Sequence, residues 1–316
     1  MPASTTVVFA VAGVALLIAA GLVAVFMLGG SGARPPGPGA AAGTVARSSS
    51  GPPAAAVAAT ASSPSPVPRP AASPHDPLGS AAASYVSTRD GVVLAAVYDL
   101  RTGQTWQFGR GQPQDEASVV KLDVLETLLA QRGASGLSAS DQALAQSMIE
   151  DSDNDSATSL WDEVGGATGI RAFNDSARLA DTSPSLCVNC PGFPWPGWGL
   201  TTTVPTDQLA LLKALIGPGP LTKAERSYAL SLMENVTASQ RWGVSGGVPA
   251  QVTVALKNGW LPLDSADTDW QINSVGWISG QGRNYLMAVL STGDPSEQYG
   301  IDTIDQLAAI VWNGLR

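Results

Sequence analysis

The sequence predicts an α+β domain: one antiparallel sheet built from both ends of the folded region, flanked by helices, with a helical middle between its two parts. Three observations carry this expectation. Apolar, β-branched stretches at residues 92–99 and 104–108 flank the turn Leu100-Arg101-Thr102-Gly103, the pattern of a hairpin. Helical periodicity then dominates from residue 118 to residue 234. Strand signals return at 252–260, 271–279 and 285–291. Strands on both sides of a helical stretch bury their apolar faces most simply by joining one sheet.

The elements come in order along the chain. It begins with an almost uncharged apolar run at residues 7–28, and about 22 residues at 1.5 Å each suffice to cross a bilayer core of about 30 Å. No basic residue precedes the run, as a cleaved signal would favour, and no cysteine comes after it to carry a lipid. Arg34 alone would place the C-terminal side in the cytoplasm, but the tether and domain beyond it argue for the outside. Residues 31–77 are Pro-, Ala-, Ser- and Gly-rich, a composition that buries too little apolar surface to fold and suits a flexible tether. The expectation is a retained signal-anchor over 1–30, a tether over 31–77 and an extracytoplasmic domain over 78–316. That domain opens with a short helical stretch ahead of the hairpin. In the helical middle, Val119, Leu122, Leu125 and Leu128-Leu129 recur at helix spacing, and Leu209, Leu212 and Leu215 do so after Pro205, a good first-turn residue. An amphipathic helix over 301–312 closes the chain.

Composition narrows the chemistry. Of 316 residues 44% are hydrophobic, enough for a core of roughly 200 residues or more. The net charge of −9, with no basic stripe, argues against a nucleic-acid partner, because nothing would neutralise a row of phosphates. The one histidine, His75, lies in the Pro/Ser/Ala-rich stretch. A Ser-His-Asp triad and a catalytic zinc site both need imidazole, so neither can be built in the folded part. No metal and no cofactor is expected, and a proton-shuttling base must be Lys, Asp, Glu or Tyr. Cys187 and Cys190 stand as C-x-x-C without further Cys or His to complete a metal site, and their surroundings read as loop rather than a strand-to-helix redox context. A local disulfide in an oxidising compartment is the expectation.

Three short motifs remain. Ser118-Val119-Val120-Lys121 opens the helix after the hairpin, where residues i and i+3 share a face and free backbone N–H groups are at hand. Ser152-Asp153-Asn154 comes after a helix ending near Glu150. Lys257-Asn258-Gly259-Trp260 ends a Val- and Ala-rich strand. Singly, each has a bland reading: a helix cap with a solvated lysine, a polar cap loop, a strand running into a turn. Together, in this order and on these elements, they resemble the serine β-lactamase and penicillin-binding superfamily, closest to class A β-lactamases and their serine hydrolase relatives. The stretch from Ile149 to Ala157 with Gly165-Gly166, and Thr202-Thr203-Val204-Pro205, extend the resemblance over the whole folded domain.

The resemblance implies an antiparallel serine β-lactamase-like fold and a set of roles. Ser118 is the acylated nucleophile and Lys121 its base, with a pKa lowered by the neighbouring cation of Lys257. Ser152 passes the proton to the leaving nitrogen, Lys257 attracts a substrate carboxylate, and Asn154 and Asn258 hydrogen-bond substrate. Backbone N–H groups of Ser118 and Trp260, with Gly259 between motif and cleft, form an oxyanion hole. The implied substrate is a small molecule or peptide, a β-lactam or a cell-wall fragment, and the chain is expected to act as a monomer.

Two departures qualify the likeness. Asn258 stands where the family prefers a hydroxyl, and Trp260 is bulky for a cleft. The stretch that carries the family's deacylating glutamate, residues 181–203, contains no Glu; Asp181 is its only acid. Cys187, Cys190 and Phe193-Pro194-Trp195-Pro196-Gly197-Trp198 stand there instead, either lining the cleft or packing the loop down. Acylation is then expected with slow deacylation. A serine acyl-transfer enzyme is the first reading. A sensing protein that binds penicillin or wall peptide without turnover is the second, and a scaffold that has lost its chemistry the third.

Overall fold

The two-residue period of the strands sorts side chains onto two sheet faces, and each face has a core of its own. In a computed structural model, residues 75–315 are described, apart from Val188, Gly192, Pro194 and Trp195. The expected membrane span lies outside them, as does the expected tether except for its last three residues. No helix among the described residues is long and apolar enough to cross a membrane.

Helix α1 (Ser80–Val86) leads into the hairpin β1 (Val92–Asp99) and β2 (Thr105–Phe108), then the short β3 (Gln114–Asp115). A 3₁₀ turn, Ala117–Val119, passes into α2 (Val120–Arg132). Next come α3 (Ala139–Gln146), a π-helical turn Ser147–Asp151, α4 (Asn154–Glu163) and α5 (Gly166–Ala177). After a long loop come a 3₁₀ turn Gly197–Leu200, β4 (Thr202–Thr203), α6 (Pro205–Ile216) and α7 (Lys223–Glu234). Strands β5 (Thr253–Pro262), β6 (Trp270–Gly280) and β7 (Arg283–Asp294) precede the closing helix α8 (Glu297–Gly314).

The local reasons are those of the sequence. Ser138 with Asp141, and Thr222 with Glu225, make reciprocal capping boxes that start α3 and α7. Pro205 occupies the first turn of α6, and Asp153 caps α4 by accepting from the Ser156 N–H.

The main sheet has the order β2-β1-β7-β6-β5, antiparallel throughout, and β3 pairs with β4 in a separate ribbon. The last strand therefore pairs with the first, in the register Val92↔Thr292 to Asp99↔Tyr285. The predicted sheet from both ends of the domain is the observed one. On one face Val97, Leu256, Ile272 and Met287 pack against Ile304, Leu307 and Val311 of α8. On the other, Ala96, Ala255, Val275 and Ala288 meet the helical layer through residues such as Leu122, Leu125 and Leu209. The site lies at the β5 end of this second face.

Candidate functional site

Counting along β5 places its polar residues. Val254 and Leu256 face the α8 core, whereas Ala255 faces the helical layer. Lys257 continues the second set and runs, almost wholly buried, towards the helical layer. Its Nζ donates to Ser152 Oγ at 2.9 Å and to the Asn258 carbonyl at 2.9 Å.

Gly259 sits where the strand and the turn at residues 116–119 come closest. A Cβ there would lie 2.7 Å from Glu116 O, Ser118 N and Val119 N, all backbone atoms, so only glycine fits. The turn itself is braced on every side. Glu116 N donates to Thr201 O at 2.7 Å, and Asn273 Nδ2 of β6 donates to Asp115 O and Glu116 O at 2.8 and 2.9 Å. Gln208 Nε2 of α6 donates to Glu116 Oε1 at 3.2 Å. These bonds hold Ala117 at φ 51°, a left-handed conformation unusual for a residue with a side chain, immediately before the half-buried Ser118.

Opposite the turn, the π-helical Ser147–Asp151 ends in Ser152 at φ 60°. The extra residue of a π turn pushes the chain outward, and such turns recur at functional sites. Here it aims Ser152 at both lysines. Lys121 Nζ donates to Ser152 O at 2.5 Å, Ser152 Oγ at 3.1 Å and Asn154 Oδ1 at 2.8 Å. Ser152 Oγ thus accepts from two lysines, and all three donors of the Lys121 ammonium are directed at the Ser152–Asn154 corner.

Electrostatics at this corner stem from dryness. Lys121 is fully buried, and burial lowers its pKa to about 7, opposed by the nearby Asp153 carboxylate. Burial first, and the Lys121 charge second, lower Lys257 well below the ordinary lysine value. The expectation that a neighbouring cation depresses Lys121 is corrected: the solvent-free setting does so. Asp153 itself is held below the usual carboxylate range by its hydrogen bonds to Ser156.

Part of that dry setting is Trp198. Its ring lies 5.1 Å from Lys121 Nζ, it is 4% exposed, and its indole N–H donates to Thr158 Oγ1 at 3.1 Å. Gly199 beside it packs against Ala117, with a hypothetical Cβ 3.7 Å from Ala117 Cα. Cys187 and Cys190, in the loop leading to Trp198, are joined as a disulfide.

One expected substrate contact lies elsewhere. Asn258 shares the Val254–Leu256 face and is buried. Its Nδ2 donates to Gln240 O at 2.7 Å and Trp242 O at 3.2 Å, and its Oδ1 accepts from Ser274 Oγ at 2.6 Å. The amide is saturated and ties down the loop before β5. Trp260 also turns to that face and packs edge-on against Trp242, centroids 5.9 Å apart, so its bulk does not enter the cleft. Lys121, Ser152, Asn154 and Lys257 are joined by hydrogen bonds, and Gly259 packs against the backbone of Ser118. Glu116, Asn273, Gln208 and Trp198 are participants that the motifs do not reveal. Asn273 and Gln271 could have been found as polar residues on a strand face otherwise apolar.

Behind the nucleophile turn lies a group of buried acids. Burial raises Glu116 well above the ordinary value, with Asp123 adding to it, and raises Asp123 to about 7. Glu126 is raised by burial and by Asp123, and neither of its carboxyl oxygens has a hydrogen-bond partner. A carboxyl whose folded pKa is raised binds protons more tightly folded than unfolded, so its contribution falls as pH rises above the unfolded value of about 4.3. Glu126→Met, which keeps the volume and removes the orphan oxygens, is expected to stabilise the protein by about 1–3 kcal/mol near neutral pH. The gain should shrink near pH 4.5, a difference that urea melts at the two pH values measure.

A model of the "Beta-lactamase enzyme family" matches residues 131–315, more than half of the chain. The chain belongs to that family. The matched residues include Ser152, Asn154 and Lys257 and begin after Ser118 and Lys121. Among curated relatives of this β-lactamase-family chain is "Putative lipoprotein LppW" of Mycobacterium tuberculosis, and of Mycobacterium bovis. It is 27% identical over 258 residues, covering 77% of this chain and 78% of the relative. Among solved structures, the TLA-1 extended-spectrum β-lactamase superposes with a TM-score of 0.66 at 17% identity, over 77% of this chain and 99% of that one. An ancestral class A β-lactamase does so at 0.61 and 20% identity, over 74% and 98%. At these identities the superpositions establish the fold: the chain has the class A β-lactamase architecture.

Proposed function

We propose that this β-lactamase-family protein is an extracytoplasmic serine hydrolase that forms an acyl-enzyme at Ser118, on β-lactams or on cell-wall peptides or esters, with slow deacylation. The observation that carries the reading is the convergence of two buried lysines on Ser152 Oγ beside the strained nucleophile turn. A scaffold has no use for two desolvated amines, which destabilise a fold unless chemistry retains them.

The charges dictate the steps. With a pKa of about 7, half of Lys121 is the neutral amine near neutral pH. That amine has two N–H groups and one lone pair, so one of the three ammonium contacts is given up and the lone pair can take the Ser118 proton. Ser118 Oγ bonds to the substrate carbonyl carbon, the carbon–nitrogen bond of the lactam breaks, and Ser152 relays the proton to the leaving nitrogen. Lys257 holds that relay and attracts a substrate carboxylate. Asn154 keeps an amide N–H₂ for the substrate, while Asn258 acts indirectly through the loop it holds. Ser118 and Trp260 supply backbone N–H groups to the oxyanion.

Three features support a place outside the cytoplasm at the membrane: the apolar run at residues 7–28, the disulfide, and the word lipoprotein in the relative's name.

The test is intact mass against time with a penicillin, for the wild type and Ser118→Ala. A persistent adduct in the wild type, absent in Ser118→Ala, is the expected result. Rapid product release would mean a competent β-lactamase. Neither adduct nor product would exclude β-lactams as substrates. The second reading, a sensing protein, is favoured by the absence of Glu from residues 181–203, and single labelling without turnover would be its signature.

A further inference from the structure

We infer that Trp198 is a positioning residue that makes the Ser118 acyl group long-lived, by occupying the space beside Lys121 that a hydrolytic water would need. The inference rests on the acyl-enzyme reading and deepens it, naming the side chain that decides the fate of the intermediate.

Hydrolysis of an ester on Ser118 has a fixed balance. A water oxygen bonds to the acyl carbon, one water proton passes to a base, the bond from that carbon to Ser118 Oγ breaks, and Ser118 Oγ recovers a proton. The water must therefore touch a base and the acyl carbon together. The groups around Lys121 Nζ come from several elements. From the π turn come Ser152 O and Oγ, from α4 Asn154 Oδ1, from β5 the ammonium of Lys257 sharing Ser152 Oγ, and from the cap of α4 the Asp153 carboxylate. Of the groups with charge, Asp153 is turned to the Ser156 N–H at 2.7 Å, so it cannot serve as the base from that position. Lys121 is then the base, and the Trp198 ring stands over it at 5.1 Å.

The ring is seated, not merely nearby. Its indole N–H is fixed to Thr158 Oγ1, and Thr158 Oγ1 donates to Asn154 O at 2.9 Å, one turn back on the helix that also supplies Asn154 Oδ1 to Lys121. On the other side the Trp198 carbonyl accepts from Thr201 Oγ1 at 2.8 Å, in the stretch of the same loop that braces Glu116. A flat apolar ring tied through its indole N–H, on a backbone tied through its carbonyl, excludes water without competing for the lysine lone pair. The same ring keeps Lys121 dry, which favours its neutral form and so the first, acylating step. One side chain thus promotes acylation and opposes deacylation.

The test compares wild type, Trp198→Ala and Trp198→Phe in the full chain with benzylpenicillin, tracking intact mass for formation and lifetime of the adduct. Trp198→Ala is expected to shorten the adduct lifetime roughly 100-fold, the low end of what a general base supplies. It should also move the acid limb of the acylation rate to higher pH as Lys121 is rehydrated. Trp198→Phe keeps an aromatic ring over Lys121 but loses the indole anchor to Thr158, so it should keep the wild-type pH profile and shorten the lifetime only several-fold. A loosened fold would not give this split between the two steps. If Trp198→Ala does not fold, Thr158→Val keeps the side-chain shape and removes the anchor of the ring together with the bond to Asn154 O, and a several-fold shorter lifetime is expected there. An adduct as persistent as the wild type's in a folded Trp198→Ala protein, with an unmoved pH profile, overturns this inference and leaves the acyl-enzyme reading standing. Absence of any adduct in the wild type overturns that reading itself.

Discussion

Lys121→Met is expected to slow acylation of Ser118 by about a thousandfold and to abolish the pH dependence of the residual rate. General-base catalysis contributes roughly 100- to 10,000-fold, and Lys121 is the residue of the cluster poised to provide it, since burial brings its pKa to about 7. In the wild type the rate should rise through neutral pH as the ammonium loses its proton and level off above it. In Lys121→Met that rise should be gone. The substitution should do this without unfolding the protein. A lysine whose folded pKa lies below its unfolded value of about 10.4 binds fewer protons folded, so stability rises with pH between the two values and is reduced below them. Methionine removes that penalty and flattens the dependence, while Ser152 and Asn154 lose a donor. A melting temperature near or above that of the wild type at neutral pH, together with lost adduct formation, would place the lysine in the chemistry rather than the fold.

Gly259→Ala is the second large effect, and of another kind. The added methyl carbon would stand 2.7 Å from three backbone atoms of the nucleophile turn, none of which can rotate away. Either β5 or the turn must shift. Overpacking of this sort costs about 1–3 kcal/mol, and a displacement of about 1 Å at reacting groups costs on the order of a hundredfold in rate. Denaturant melts and adduct formation should therefore both fall. Gly282→Ala is the control: nothing lies within 4 Å of its added carbon, so only the strain of its φ of +78° is felt. It should lose about 1 kcal/mol and no acylation rate.

Much of this was legible in the residues. The strand periods and the position of the helical middle sufficed for the sheet, because burying one face of each strand leaves few arrangements. The three motifs led to Lys121, Ser152, Asn154 and Lys257, which meet in one hydrogen-bonded cluster, and to Ser118, whose backbone lies against Gly259. The side chains of Asn258 and Trp260 were misplaced because the motif was read as a unit instead of being counted along its strand; Val254, Leu256, Asn258 and Trp260 share a face, and Lys257 has the other. The seat of Trp198 was not legible, since it depends on a long loop folding back over α4. Nor was the cause of the Lys121 shift, which comes from burial by segments distant in sequence. Asp123 and Glu126 read as the polar side of a helix, yet α2 is enclosed all round and both are buried.

The pairing of the first strand with the last has a consequence in time. As the chain is made, β1 and β2 emerge as a lone hairpin, which is marginal in water until β7 joins it. The serine and its amine come off the ribosome with α2, but the strand bearing Lys257 and Gly259 emerges only after α7, and β7 after that. Long-range pairing of this kind is slow and comes late. Throughout synthesis, then, Ser118 is an ordinary hydroxyl, and under the proposed function it is the final stretch of chain that arms it. A chain interrupted before β5 would carry an intact S-x-x-K and S-D-N and still be inert.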